Sequence, residues 1–161
     1  MTVNIEVRLA DYNNQQDGQH LVKLLNDYAQ DPMGGGESLK EFTQQNLAKT
    51  LATVPHAFTV LAFVDGEPAG LVNCFEGFST FKCRPLINIH DISVSKPFRG
   101  LGLSLKMMAL VEQEAKKRNA CKLTLEVLEG NKIAQAAYEK FGFTGYELDP
   151  EMGKAMFWEK P

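Results

Sequence analysis

The sequence has few cysteines, few histidines, a single tryptophan and no long apolar run. Cys74, Cys83 and Cys121 are widely spaced with no Cys-x-x-Cys pair, which speaks against both a disulfide framework and a thiolate metal site. His20, His56 and His90 are equally scattered, so no metal is expected. Basic residues do not dominate: 17 Lys and Arg against 20 Asp and Glu give a formal net charge of −3. A general nucleic-acid binder usually carries a basic surface, and that class is set aside. No stretch reaches the roughly 18 apolar residues of a membrane span. Residues 1–10 alternate polar and apolar side chains and include Glu6 and Arg8, unlike the continuous apolar core of a secretory signal. A cytoplasmic protein with no membrane or nucleic-acid partner is the expectation.

What is present suits one domain over residues 1–161, with 44% apolar and 23% charged residues. Val3, Ile5, Val7 and Leu9 alternate with polar residues and predict a half-buried strand. Leu21, Leu24, Leu25 and Tyr28 recur at helical spacing behind Asp17, a candidate cap, and Asp31-Pro32 ends that helix. Gly34-Gly35-Gly36 predicts a flexible loop. Ser38 and Glu41 form a capping-box pattern for a second helix. Strands are predicted over 58–64 and 69–75, joined by an Asp65-Gly66 hairpin turn, with 76–85 as a loop or frayed hairpin end. A long strand over 86–94 precedes a glycine turn and a helix from Leu105 to about Asn119. A strand over 122–128, a helix over 131–141 and two short strands over 144–148 and 155–159 complete the chain. The order implies a mixed α/β sheet with one parallel strand–helix–strand unit late in the chain.

Two segments carry chemistry. In the first, Arg99-Gly100-Leu101-Gly102-Leu103-Ser104 joins a strand to a helix. The glycines remove side chains where an anion must approach the backbone. Free N–H groups and the helix dipole then make a pyrophosphate-sized anion site, to which Arg99 adds a positive charge. A third glycine at position 105 and a Gly-Lys-Ser/Thr run are both absent, so neither common nucleotide fingerprint is met. In the second, Asn131 is a sensible helix cap. Residues 134, 138 and 141 share one helical face, which turns Tyr138 inward; a core tyrosine would satisfy the same pattern.

Arg-Gly-x-Gly-x-Ser, then Leu-x-Val-x-x-x-Asn and Ala-x-x-x-Tyr-x-Lys-x-Gly-Phe, resembles the GNAT superfamily of N-acetyltransferases over residues 86–143. Ser104 is a mild departure from the Gly or Ala of the family's turn. The resemblance implies an α/β (α+β) fold with a mixed, mostly antiparallel sheet of six to seven strands and about four helices. It also implies acetyl-CoA as co-substrate, no metal, and a homodimer. Backbone groups of Ile92, Ser93 and Val94 are then expected on the pantetheine arm, and Arg99, Gly100, Leu101, Gly102, Leu103 and Ser104 on the pyrophosphate. Asn131, Tyr138 and Lys140 fall in the coenzyme set, with Tyr138 beside the sulfur.

Acetyl transfer from a thioester needs a neutral amine. An amine with a lysine-like pKa of ~10.4 is neutral in about one molecule in 2,500 at pH 7, a cost of roughly 4–5 kcal/mol. A base or a water chain is therefore useful, and Tyr138 is a candidate acid for the departing thiolate. Glu126, Asp91 and His90 compete as base, with Glu129 and Glu76 as outlying candidates. Glu126 stands where GNAT enzymes acting on ribosomal-protein amino termini carry a glutamate base. His90 and Asp91 are adjacent on one strand, so only one is expected to reach the site unless a bulge intervenes. Glu37, Glu76, His90 and Asp91 are the acceptor-side candidates, and a small cationic amine is the expected acceptor. A protein or peptide amine, or a non-catalytic acyl-CoA sensor, are the alternatives.

Overall fold

The computed structural model describes residues 2–146 and 148–161. Five strands form one sheet in sequence order: β1 (Ile5–Leu9), β2 (Phe58–Val64), β3 (Glu67–Ser79), β4 (Arg84–Val94) and β5 (Leu123–Leu125). The first four pair antiparallel, and β5 joins β4 in parallel. Four helices accompany them: α1 (Gln15–Gln30), α2 (Glu41–Leu51), α3 (Leu103–Lys117) and α4 (Lys132–Phe141). This is the mixed, mostly antiparallel α/β architecture expected, with five strands among the described residues against the about six to seven expected. Residues 144–146, 148 and 155–159 form no strand, although Ala155 N donates to Tyr146 O at 3.1 Å. Glu147, within one of the two expected strands, lies outside the described residues. The chain forms two compact units, residues 1–128 and 129–161.

In the first unit, side-chain alternation assigns the two faces of the sheet. Leu61, Phe63 and Leu71 pack against Leu21 and Leu24 of α1 and Leu51 of α2. Val64 and Ala69 pack with Leu103 of α3 on the other face. Every residue of β2 is buried, because helices cover both of its sides. Asp65 (φ 50°) and Gly66 (φ 82°) make the predicted tight turn, both in left-handed conformation.

Several local expectations are corrected. Asn14, not Asp17, caps α1, by accepting from Asp17 N. Asp17 is freed to pair bidentately with Arg8 at 2.7 and 2.8 Å. Lys40 occupies the N-cap position of α2 without a side-chain bond, and Ser38 accepts from Gln30 instead. Residues 76–79 and 84–85 extend β3 and β4 as a long hairpin rather than a frayed end. Strand β5 keeps only three residues of the predicted seven, because its pairing with β4 stops at Ile89 opposite Leu125.

Candidate active site

The glycine turn follows the end of β4. Lys96-Pro97-Phe98 forms one 3-10 turn, then Gly100 (φ 86°) and Gly102 (φ 73°) adopt left-handed conformations before α3 begins. Nothing lies within 4 Å of a Cβ built on either, so the dihedral and not crowding demands glycine there. Gly102 is the N-cap of α3 and has no side chain to offer, so the first N–H groups of the helix have no side-chain cap. An anion at that point meets free donors and the positive end of the helix dipole. Arg99 is held beside it, with Nε donating to Val94 O at 3.1 Å. The buried Oγ of Ser95, one residue past β4, has no hydrogen-bond partner. An unsatisfied buried hydroxyl costs about 1–3 kcal/mol unless a ligand or water meets it. These features fit a phosphate-bearing coenzyme.

A cleft of about 310 Å³ opens beside the turn. The end of α1 contributes Asp27, Tyr28 and Asp31 to it, and the β4 end contributes Ser95, Lys96 and Arg99. One wall is thus acidic and the other basic. Asp31 Oδ1 accepts from Met33 N at 2.9 Å, and Oδ2 lies 3.5 Å from Arg99 Nη2. The Met33 amide chiefly, and Arg99 after it, hold the Asp31 carboxyl below the usual range. Burial pushes the Tyr28 phenol up, and the charges of Asp91 and Asp31 push the same way.

Strand β4 carries a bulge at the expected place. Asn73 is opposite Asp91, while the next residue, Cys74, is opposite Ile89, so His90 is the extra residue. The His90 ring meets Phe75 edge-on at 5.4 Å, and Asp91 Oδ2 accepts from Asn73 Nδ2 at 3.0 Å. Asn73 and Phe75, two apart on β3, share one face. Both His90 and Asp91 therefore address the α1–α2 face, where regular pleating would have separated them. Parallel pairing with β5 covers only Ile87–Ile89. Among the described residues, β4 from Asp91 to Val94 has no strand partner on that edge, which leaves the Ile92–Val94 backbone available for strand-like bonds to a ligand.

The remaining predicted residues are dispersed. Glu76 does not join Asp91: its Oε1 lies 3.4 Å from Arg118 Nη1 at the end of α3, on the opposite face. Glu37 is exposed beyond α1 and does not line the cleft. The 34–36 loop is a compact turn, bound by Gly34 N to Asp31 O and Gly36 N to Ala29 O at 2.8 and 2.9 Å. A Cβ on Gly34 would collide with Tyr28 O, so this glycine serves close packing. Glu126 is exposed, one residue past the end of β5. In the second unit, Asn131 Oδ1 caps α4 through Ala134 N at 3.2 Å. Tyr138 is half-buried and meets Phe143 edge-on at 6.0 Å, and Lys140 is exposed. Gly142 (φ 118°) closes the helix. Burial drives the Cys74 thiol strongly upward, which makes it inert as a nucleophile. Among the described residues, no cluster of His, Cys, Asp and Glu has the makings of a metal site, and no helix is long and apolar enough to cross a membrane.

Four residues of this region escape sequence reasoning: Tyr28, Asp31, Asn73 and Ser95. Tyr28 and Asp31 read as an apolar-face residue and a helix stop, while Asn73 and Ser95 carry no motif.

A sequence profile of the Acetyltransferase (GNAT) family matches residues 21–143. The chain belongs to the GNAT acetyltransferase family. Two sequence relatives are each 34% identical to this GNAT protein. One is the uncharacterized N-acetyltransferase MJ1207 of Methanocaldococcus jannaschii, matched over 53% of this chain and 38% of its own. The other is the uncharacterized N-acetyltransferase YycN of Bacillus subtilis, over 42% of each. The match thus spans well under half of both relatives. The GNAT fold is shared along nearly the whole chain with the aminoglycoside N-acetyltransferase AAC(6')-Iy, solved in complex with CoA. That structure is 16% identical, has a TM-score of 0.75, and aligns over 99% of this chain and 97% of its own.

Proposed function

We propose that this GNAT protein transfers the acetyl group of acetyl-CoA to a primary amine by direct attack in a ternary complex, with a small cationic amine as acceptor. The division of charge along β4 and the turn that follows it carries this reading. Lys96, Arg99 and the uncapped start of α3 suit the anionic donor, while Asp91, held by Asn73 on β4, suits a cationic acceptor. An aminoglycoside acetyltransferase with the same fold adds support for an amine acceptor.

In the donor's site, the Arg99–Ser104 turn takes the pyrophosphate, and the free edge at Ile92–Val94 pairs with the pantetheine amides. The resemblance of the Asn131–Phe143 segment to the GNAT motif assigns Asn131 and Lys140 to the coenzyme. On the acceptor side, we favour Asp91 over Glu126, because Asp91 is half-buried and held by Asn73 whereas Glu126 is solvated. A lysine-like amine outcompetes a carboxylate for a proton in water, so Asp91 holds and orients the ammonium while its proton leaves to solvent. The neutral nitrogen attacks the thioester carbon, and the tetrahedral adduct expels the thiolate as the C–S bond breaks. The nitrogen gives its second proton to solvent, and the thiolate takes a proton from Tyr138, which solvent then reprotonates. Charge on the acceptor is thus needed for capture and lost before attack.

Thiol release measured with acetyl-CoA over a panel of amines tests this. Turnover on small diamines in preference to short peptides is the expected result. Turnover on peptides alone selects a protein acceptor, and coenzyme binding with no turnover selects a sensor.

A further inference from the structure

Thr59, Asn73 and Asp17 are the buried polar side chains of the described residues. Asp17 is accounted for by Arg8. Thr59 and Asn73 are not, since they stand opposite each other in strands whose neighbours Val60, Leu61, Leu71 and Val72 are fully buried and apolar. A valine and a leucine would pack there without the about 1–3 kcal/mol at risk for each buried polar group. What justifies them is a continuous chain of bonds ending at Asp91. The Tyr12 hydroxyl meets Thr59 Oγ1 at 2.8 Å, Thr59 Oγ1 donates to Asn73 Oδ1 at 2.7 Å, and Asn73 Nδ2 donates to Asp91 Oδ2 at 3.0 Å.

The chain has only one self-consistent direction. An ionised Asp91 accepts only, so the Asn73 NH₂ must face it and the Asn73 carbonyl must face Thr59. Thr59 has a single proton and gives it to that carbonyl. Its remaining bond must then be accepted, from the Tyr12 hydroxyl. Every donor therefore points along the chain toward the carboxylate. An amide in the middle makes the chain a poor path for protons but a rigid mount. Tyr12 anchors its far end among the α1–α2 core residues.

We infer that Asn73, Thr59 and Tyr12 are positioning residues, which fix the Asp91 carboxylate in one rotamer for capture of a cationic acceptor. Asn73 acts directly on Asp91, Thr59 through Asn73, and Tyr12 through Thr59. This deepens the proposed function and rests on the acceptor role assigned there to Asp91.

Thr59→Val is the informative variant, because it keeps the shape and removes only the hydroxyl. Steady-state kinetics with a diamine should show its KM raised about five- to tenfold, the weight of a bond in a charged network. Its kcat should change less, and its acetyl-CoA Kd should stay at the wild-type value. Thr59→Ser should restore KM, and Tyr12→Phe should raise it less than Thr59→Val does. Thermal unfolding of each variant separates misfolding from the effect sought, and if Thr59→Val does not fold, Asn73→Ser against Asn73→Gln supplies the same comparison. If Asp91→Asn raises KM while Thr59→Val leaves it unchanged, the positioning inference is overturned and the role of Asp91 stands. If Asp91→Asn itself leaves KM unchanged, the acceptor reading fails, and this inference with it. A Thr59→Ser variant as impaired as Thr59→Val also overturns it, since the hydroxyl would then not be the active feature.

Discussion

Arg99 Nη2 stands 3.5 Å from Asp31 Oδ2, so the cation of the glycine turn and an anion at the end of α1 partly neutralise each other across the cleft. A pyrophosphate bound as proposed would share Arg99 with this carboxylate. Arg99 is 55% exposed, and pairs of that kind are worth about 0.2–1 kcal/mol. Asp31→Asn should therefore tighten acetyl-CoA binding by roughly two- to fivefold in calorimetric titration at low salt. The gain should shrink as salt screens the pair. Weaker binding in the variant would mean that Asp31 helps to hold the coenzyme.

The turn makes a separate demand. With Gly102 at φ 73° and no atom crowding its Cβ position, Gly102→Ala meets a conformational penalty alone. A left-handed non-glycine residue costs about 1–2 kcal/mol. Urea denaturation should register a loss of that size, and acetyl-CoA affinity should fall with it because the α3 N–H groups shift. Unchanged affinity would detach this turn from the pyrophosphate.

Asp17 sets a limit on acid stability. Hydrogen bonding to Arg8 leads the causes that depress its carboxyl pKa in the folded protein. A depressed pKa contributes stability in full above the unfolded-state value of about 4, and that contribution fades as pH falls through the folded value. Asp17→Asn should lose about 1–3 kcal/mol at pH 7 in urea denaturation. The variant and the parent should then converge at low pH, where both carry a neutral side chain. A constant difference at all pH values would show that the loss is one of packing.

Tyr138→Phe should lower kcat by roughly ten- to a hundredfold, at the modest end for a general acid. A thiol of pKa near 8.5 leaves without much help. Acetyl-CoA affinity, read by titration, should be nearly that of the parent. An unaltered kcat across the pH range would remove Tyr138 from the proton-donor role.

Local backbone demands were the most readable part of this chain. Gly100 and Gly102 declare their turn because their left-handed dihedrals favour glycine, and Gly66 and Gly142 declare theirs for the same reason. Alternation in residues 3–9 and helical spacing in residues 21–28 gave two core-facing elements. What stayed hidden depends on partners distant in sequence. The bulge at His90 exists only relative to Asn73 and Cys74 on β3, so no pattern within β4 reveals it. Thr59 and Asn73 look like ordinary strand residues until register sets them opposite each other and Asp91. Glu76 looked like an acceptor-side carboxylate, and its pairing with Arg118 across 42 positions has no local signature. Ser38 stands two residues before the N-cap position, which Lys40 occupies, and accepts from the Gln30 amide instead.

The most direct test of acetyl transfer counts both products at once. The protein is mixed with acetyl-CoA and a small diamine, free thiol is quantified by a colorimetric reagent, and acetylated amine is quantified by mass spectrometry. The account predicts equal amounts of thiol and mono-acetylated diamine, formed faster as pH rises toward the amine's pKa. Thiol released with no acetylated amine, or no product of either kind over a wide panel of amines, would contradict it.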